Sequence, residues 1–126
     1  MTPGSLDIGG QVKSAISTMI SKSGKSRWAI IAEINGLANT DFQKSTLDGW
    51  SAESRGDSNA PVKILPALIM STQQFDLIDL VGKSCGCQML RGSESILAEV
   101  ARIESTQKKL DEEKSKLQEL YLRISK

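Results

Sequence analysis

Between Ser93 and Ser125, Ile96, Val100, Ile103, Gln107, Leu110, Lys114, Leu117, Tyr121 and Ile124 follow one another at alternating intervals of four and three. This repeat constrains the fold more than any other feature of the chain. A period of 3.5 held over so many turns keeps one apolar seam on a continuous α-helix, and that seam needs a second helix to cover it. Ile96, Ile103, Leu110, Leu117 and Ile124 form the d column of the heptad, and Val100, Gln107, Lys114 and Tyr121 the a column. A helix lying on its own domain would show a wider stripe of period 3.6. The expectation is therefore a coiled coil or helical hairpin. Polar Gln107 and Lys114 at a positions favour a small, register-fixed oligomer of the chain with itself, most simply a homodimer, with a tetramer as the larger option. In a parallel pair Glu99 would face the partner's Glu104, and no e/g pair offsets this, so both orientations stay open.

The residues before this segment read as short helices. Val12, Ile16, Met19 and Ile20 share one face, and Ser23-Gly24 stops that helix. Ser26 is an N-cap candidate for "RWAIIAEINGLA", in which Trp28, Ile31, Ile34 and Leu37 recur every three residues. Asn39 and Thr40 end it, and Phe42 anchors the polar turn that follows. "KSTLDGWSAES" is a third helix burying Leu47 and Trp50. "SRGDSNAP" is a loop, and Pro66 must start or kink the next helix. Gly82 is expected to end the fifth. The helices are expected at about residues 10–22, 27–38, 44–54, 62–72 and 74–83. The organisation expected is a disordered head over 1–9, a helical domain over 10–90 and a coiled-coil helix over 91–126.

The class is all-α. Only five of the 126 residues are aromatic, and the 39% apolar fraction is carried largely by Ile, Leu and Ala. There is no histidine, the commonest general acid–base, and no glycine-rich phosphate loop. Cys85 and Cys87 in "CGC" fall short of the four ligands of a structural zinc site. The expectation is a non-enzymatic chain with no cofactor, no metal and no small-molecule substrate. "MTPGSLDIGG" lacks the basic and apolar regions of a signal peptide, and no apolar run approaches the ~20 residues needed to span a bilayer. A cytoplasmic protein with no membrane association is expected.

The net charge of +1 conceals an asymmetry: Lys13, Lys22, Lys25 and Arg27 are the only charged residues between Ile8 and Ala32. Such a patch can hold phosphates. Five short helices whose second and third flank a turn match the layout of repressor-like helix-turn-helix domains. Ala32 would be the small residue at the helix crossing, Gly36 the turn glycine, and Leu47 and Trp50 the buried pair. Gly36 to Leu47 is longer than in the tight form of the motif, so the turn carries an insertion. Gln43, Lys44 and Ser45, at the start of the third helix, would reach base edges or phosphates in a major groove. Asp48 and Glu53 oppose such contact, and mid-helix Gly49 is consistent with close approach of a neighbouring segment.

"STLDGWSAESRG", then "KILPALIMSTQQFDLIDLVGKSCGCQML" and a charged helix, resembles small regulatory proteins of Mu-like transposable phages and prophages. In these an "LDAW-A-ES" helix precedes a proline-containing helix, an acidic apolar helix and a "GC" step. The corresponding residues are Leu47, Asp48, Trp50, Ala52, Glu53, Ser54, Pro66, Gly86 and Cys87, and the resemblance covers about residues 26–115. The chain is more distantly similar to CII-type regulators of lambdoid phages, which join a repressor-like domain to a C-terminal oligomerising helix. What the resemblance implies is a prophage-encoded transcription regulator in a bacterial host cell. It would bind double-stranded DNA as an oligomer, two third helices meeting major grooves roughly 34 Å apart. The alternative from the residues themselves is a protein–protein adaptor with a coiled-coil tail.

Overall fold

A computed structural model describes residues 2–125, and every regular element among them is helical. In chain order these are α1 (Gly9–Ser23), α2 (Arg27–Ala38), α3 (Lys44–Ser51), α4 (Leu65–Thr72), α5 (Asp76–Ser84) and α6 (Gly92–Ile124), with a 3-10 turn at Val62–Ile64 leading into α4. The chain divides into two units after Met89, the first holding α1–α5 and the second α6.

Local signals set most helix ends. Gly24 ends α1 at φ 69°, where the absence of a Cβ removes the penalty for left-handed backbone. The Ser26 hydroxyl accepts from the Ala29 N–H at 3.1 Å and opens α2. Asn39, at φ 55°, closes α2. Pro66 sits in the first turn of α4, where its missing N–H costs no hydrogen bond.

Several expectations are corrected. α3 stops at Ser51 instead of 54, because Ala52 turns extended and starts the loop. α5 runs on past Gly82 to Ser84, and Gly82 is buried inside it. The Gly82 carbonyl accepts from Cys87 N–H at 2.7 Å, and a Cβ there would collide with the Met89 side chain, so this glycine lets the chain fold back along α5. Residues 2–8 carry turns closed by Ser5 N–H to Thr2 O and Asp7 N–H to Gly4 O, both 3.1 Å. Met1 lies outside the described residues.

Within the first unit α1 packs on α5 and α3, and α2 on α4 and α3. Ile16, Met19 and Ile20 of α1 meet Ile30, Ile31 and Ile34 of α2, Leu47 and Trp50 of α3, and Ile64, Leu68 and Leu77 beyond. The buried stripe of α2 differs from the expected one: Trp28 is 69% and Leu37 64% exposed. A strict three-residue interval slips about 60° per step around a helix of 3.6 residues per turn, so its two ends rotate off the core face.

None of the described residues of α6 is buried. Its surface is bound along the helix by ion pairs, Glu99 with Arg102 and Glu119 with Arg123, while the heptad seam from Ile96 to Ile124 stays exposed.

Candidate nucleic-acid interface

α3 is held to the core by Leu47 and Trp50, three residues apart and both buried. Phe42 packs edge-on against Trp50, with ring centroids 5.1 Å apart and planes at 77°. The turn between α2 and α3 is braced by one side chain. Asn35 Oδ1 accepts from the Phe42 N–H at 2.9 Å and Asn35 Nδ2 donates to the Phe42 carbonyl at 2.8 Å, while the Thr40 hydroxyl donates to the same Oδ1 at 2.9 Å. These bonds fix where α3 begins, and so where its first turn faces.

Gly36 is not the turn glycine. It lies inside α2 with open space beside it, and Ala32 is exposed instead of buried at a crossing. The small Ala32 side chain lies on a groove of 650 Å³ between the two helices, whose walls include Trp28, Ile31, Phe42, Lys44 and Asp48.

Gln43 and Ser45 are exposed at the head of α3, and Lys44 is half-buried between them. Asp48 binds two cations, its Oδ1 accepting from Arg27 Nη1 at 3.1 Å and its Oδ2 forming an ion pair with Lys44 Nζ at 3.0 Å. The same Arg27 nitrogen donates to the Ser51 hydroxyl at 2.7 Å. Lys44 Nζ also lies 5.9 Å from the centre of the Trp28 ring, within cation–π range. Arg55 returns from the following loop to α3 and donates to the Ser45 carbonyl at 3.4 Å. Three cations and the Asp48 carboxylate thus lie along α3, with Lys44 and Arg55 toward its first turn and Arg27 toward its last.

The remaining expected phosphate contacts are engaged elsewhere. Lys13 is 3% exposed, and its ammonium donates to the Gly49 carbonyl at 2.8 Å and to the Ser58 carbonyl. It is a core residue, not a surface cation. Its place three before Ile16 and seven before Ile20, on the buried stripe of α1, was the available signal. Lys22 pairs with Asp76 of α5 at 2.9 Å. Lys25 binds both oxygens of Glu33 at 3.0 and 3.1 Å and the Ser71 carbonyl at 2.8 Å, which ties the chain before α2 to α4. The Lys25 hydrogen bond, followed by that from the Ser71 hydroxyl, holds the Glu33 carboxyl below the usual carboxylate range. Of the four-cation patch, Arg27 bonds to side chains of α3, while Lys13 meets α3 only at the buried Gly49 carbonyl.

Arg55 and Trp28 are the residues that sequence reasoning missed. Arg55 is brought in by a loop with no periodic signal, and Trp28 stands in a three-residue recurrence that reads as a buried stripe. Cys85 and Cys87 are exposed free thiols, and among the described residues no group of three or more Cys, Asp or Glu side chains is placed to hold a metal. No helix among the described residues is long and apolar enough to cross a membrane. No protein-family model, curated protein or solved structure matches this chain.

Proposed function

We propose that the chain is a non-enzymatic, sequence-specific DNA-binding regulator of phage type. It acts in the cytoplasm as an oligomer, with α2 and α3 forming a repressor-like helix-turn-helix. The observation that carries this is the exposed first turn of α3, anchored from behind by Leu47 and Trp50, with Lys44 and Arg55 beside it and Arg27 further along the helix. Gln43 and Ser45 contact base edges or sugar–phosphate, and the three cations neutralise phosphates. Trp28, on the same groove, supplies an apolar surface against the backbone sugars or a thymine methyl. Lys13, Lys22 and Lys25 serve the fold.

The test is fluorescence anisotropy of the purified chain on random-sequence duplex DNA at low and then moderate salt. The expected result is binding that weakens with added salt and drops for Lys44→Ala and Arg55→Ala, since neutralised phosphates release counterions. Absence of binding at ~50 mM salt, where non-specific affinity is greatest, overturns it.

The second reading, a protein–protein adaptor, is favoured by one specific observation. Asp48 already pairs with both Arg27 and Lys44 and offsets one of their two charges, beside a partly apolar groove between α2 and α3 that suits a peptide or helix from another protein. It predicts no retention on DNA at any salt.

A further inference from the structure

The exposed seam of α6 has a structure that selects its partner. Apolar side chains continue over a helix of 33 residues, and its described residues bury nothing. A helix draws most of its stability from covering such a face, and an unbroken 3.5-residue repeat is matched by another helix with the same repeat. The second copy of α6 is the partner whose seam has the same length and period. Its orientation follows from what meets what.

In a parallel pair each residue faces its own copy or its near equivalent. Lys114 would lie beside the partner's Lys114, with the partner's Glu113 alongside, and Glu99 beside the partner's Glu104. The flanking positions give no opposite-charge pair: Thr106 faces the partner's Asp111, and Glu113 the partner's Gln118. Leu97 and Leu120, exposed apolar residues just outside the seam at its two ends, would face the partner's Gly92 and Ser125 and stay uncovered.

Reversing one helix changes each of these contacts, and its one like-charge flank, Asp111 against the partner's Glu104, has Lys114 of the same helix beside it. In the register that sets Val100 against the partner's Leu117, every a position meets a d position. Gln107 then meets the partner's Leu110. Lys114 lays its stem on the partner's Ile103 and brings its ammonium beside the partner's Glu104, and the two copies of Lys114 separate. The ends also match, because Leu97 comes beside the partner's Tyr121 and Ile96 beside the partner's Leu120. A shallow depression of 490 Å³ on the seam, lined by Leu110, Lys114, Leu117 and Tyr121 with Glu113 and Gln118, takes the partner's Val100 as a knob.

We infer that α6 pairs with α6 of a second copy of this chain in antiparallel orientation, in the register that joins Val100 to the partner's Leu117. The inference rests on the oligomeric part of the function proposed above and adds its geometry. The two copies of Gly92 lie at opposite ends of the pair, roughly 50 Å apart at 1.5 Å per residue. Half-sites one helical turn apart, roughly 34 Å, are then not set by the coil itself.

Disulfide trapping in the full chain tests this, with Cys85→Ser and Cys87→Ser removing the native thiols. Two versions are oxidised, one carrying Val100→Cys alone and the other Val100→Cys with Leu117→Cys, and the unoxidised chain is weighed by sedimentation equilibrium. The expected result is a two-chain mass, near-complete cross-linking of the double variant, and cross-linking roughly ten-fold lower for Val100→Cys alone. In the antiparallel register the two Val100 positions are about 25 Å apart, beyond disulfide reach. Efficient cross-linking of Val100→Cys alone overturns the orientation while keeping the pair. A monomeric mass overturns both the pair and the oligomeric reading beneath it, and a mass above two chains overturns the two-helix coil.

Discussion

The ammonium of Lys13 donates to the carbonyl of Gly49 at 2.8 Å, joining the first turns of α1 to the middle of α3 across the core. The same ammonium takes the Ser58 carbonyl of the loop after α3. Gly49 explains itself in this setting: a Cβ there would fall on the Ser58 hydroxyl, with Ser58 Cβ at 3.0 Å and Arg55 Cζ at 3.3 Å. One buried cation and one bare backbone position therefore hold the loop of residues 52–61 over α3, and with it Arg55.

Lys13→Met keeps the aliphatic stem and removes the donor. The carbonyls of Gly49 and Ser58 lose a buried partner, and the expected cost is about 1–3 kcal/mol of stability, read as a lower urea midpoint at unchanged slope. A midpoint equal to that of the parent chain would show that the ammonium contributes nothing net.

Gly49→Ala sets two effects against each other. Helix propensity favours alanine by ~1 kcal/mol, but the Ser58 side chain occupies the space. The overlap decides the sign, since a methyl forced into a filled site typically costs about 1–3 kcal/mol. The variant should be less stable, and adding Ser58→Gly should recover most of the loss. Equal or higher stability of Gly49→Ala alone would mean that the loop yields freely.

Asp48→Asn bears on function more than on fold. Arg27 and Lys44 lose their shared anion and turn toward solvent, which adds one uncompensated positive charge beside α3. On random duplex DNA the variant should bind several-fold more tightly at low salt, and its salt slope should steepen by about 0.9 for each phosphate gained. Unchanged or weaker binding would show that α3 does not face the duplex.

Glu33 makes stability fall in acid. Its folded-state pKa is lowered, chiefly by the Lys25 hydrogen bond, so its contribution is complete above the unfolded value of roughly 4.3 and is lost as pH falls through the folded value. Urea midpoints compared at about pH 6 and about pH 3 should drop less for Glu33→Gln than for the parent. Parallel drops would assign the acid limb to other carboxylates.

Much of the architecture was readable because its causes are local. A cap, a left-handed glycine and an N-terminal proline act through neighbours within about four residues, so Ser26, Gly24 and Pro66 mark helix ends in the bare sequence. The heptad of α6 is likewise written along a single helix. Leu47 and Trp50, three apart in a polar stretch, marked the buried side of α3 correctly. Trp28 and Leu37 did not mark that of α2, because a three-residue recurrence drifts around the helix.

The sequence by itself determined the helices, most of their ends and the seam of α6, all set by backbone periodicity and near-neighbour hydrogen bonds. The tertiary structure decided what each cation does. Arg27 finds Asp48 at 21 positions along the chain, Lys13 finds Gly49 at 36, Lys25 finds Ser71 at 46, and Lys22 finds Asp76 at 54. A lysine reads the same in sequence whether it ends in water or on a buried carbonyl. Only the packing of distant helices sets its surroundings, and so which charges remain at the head of α3.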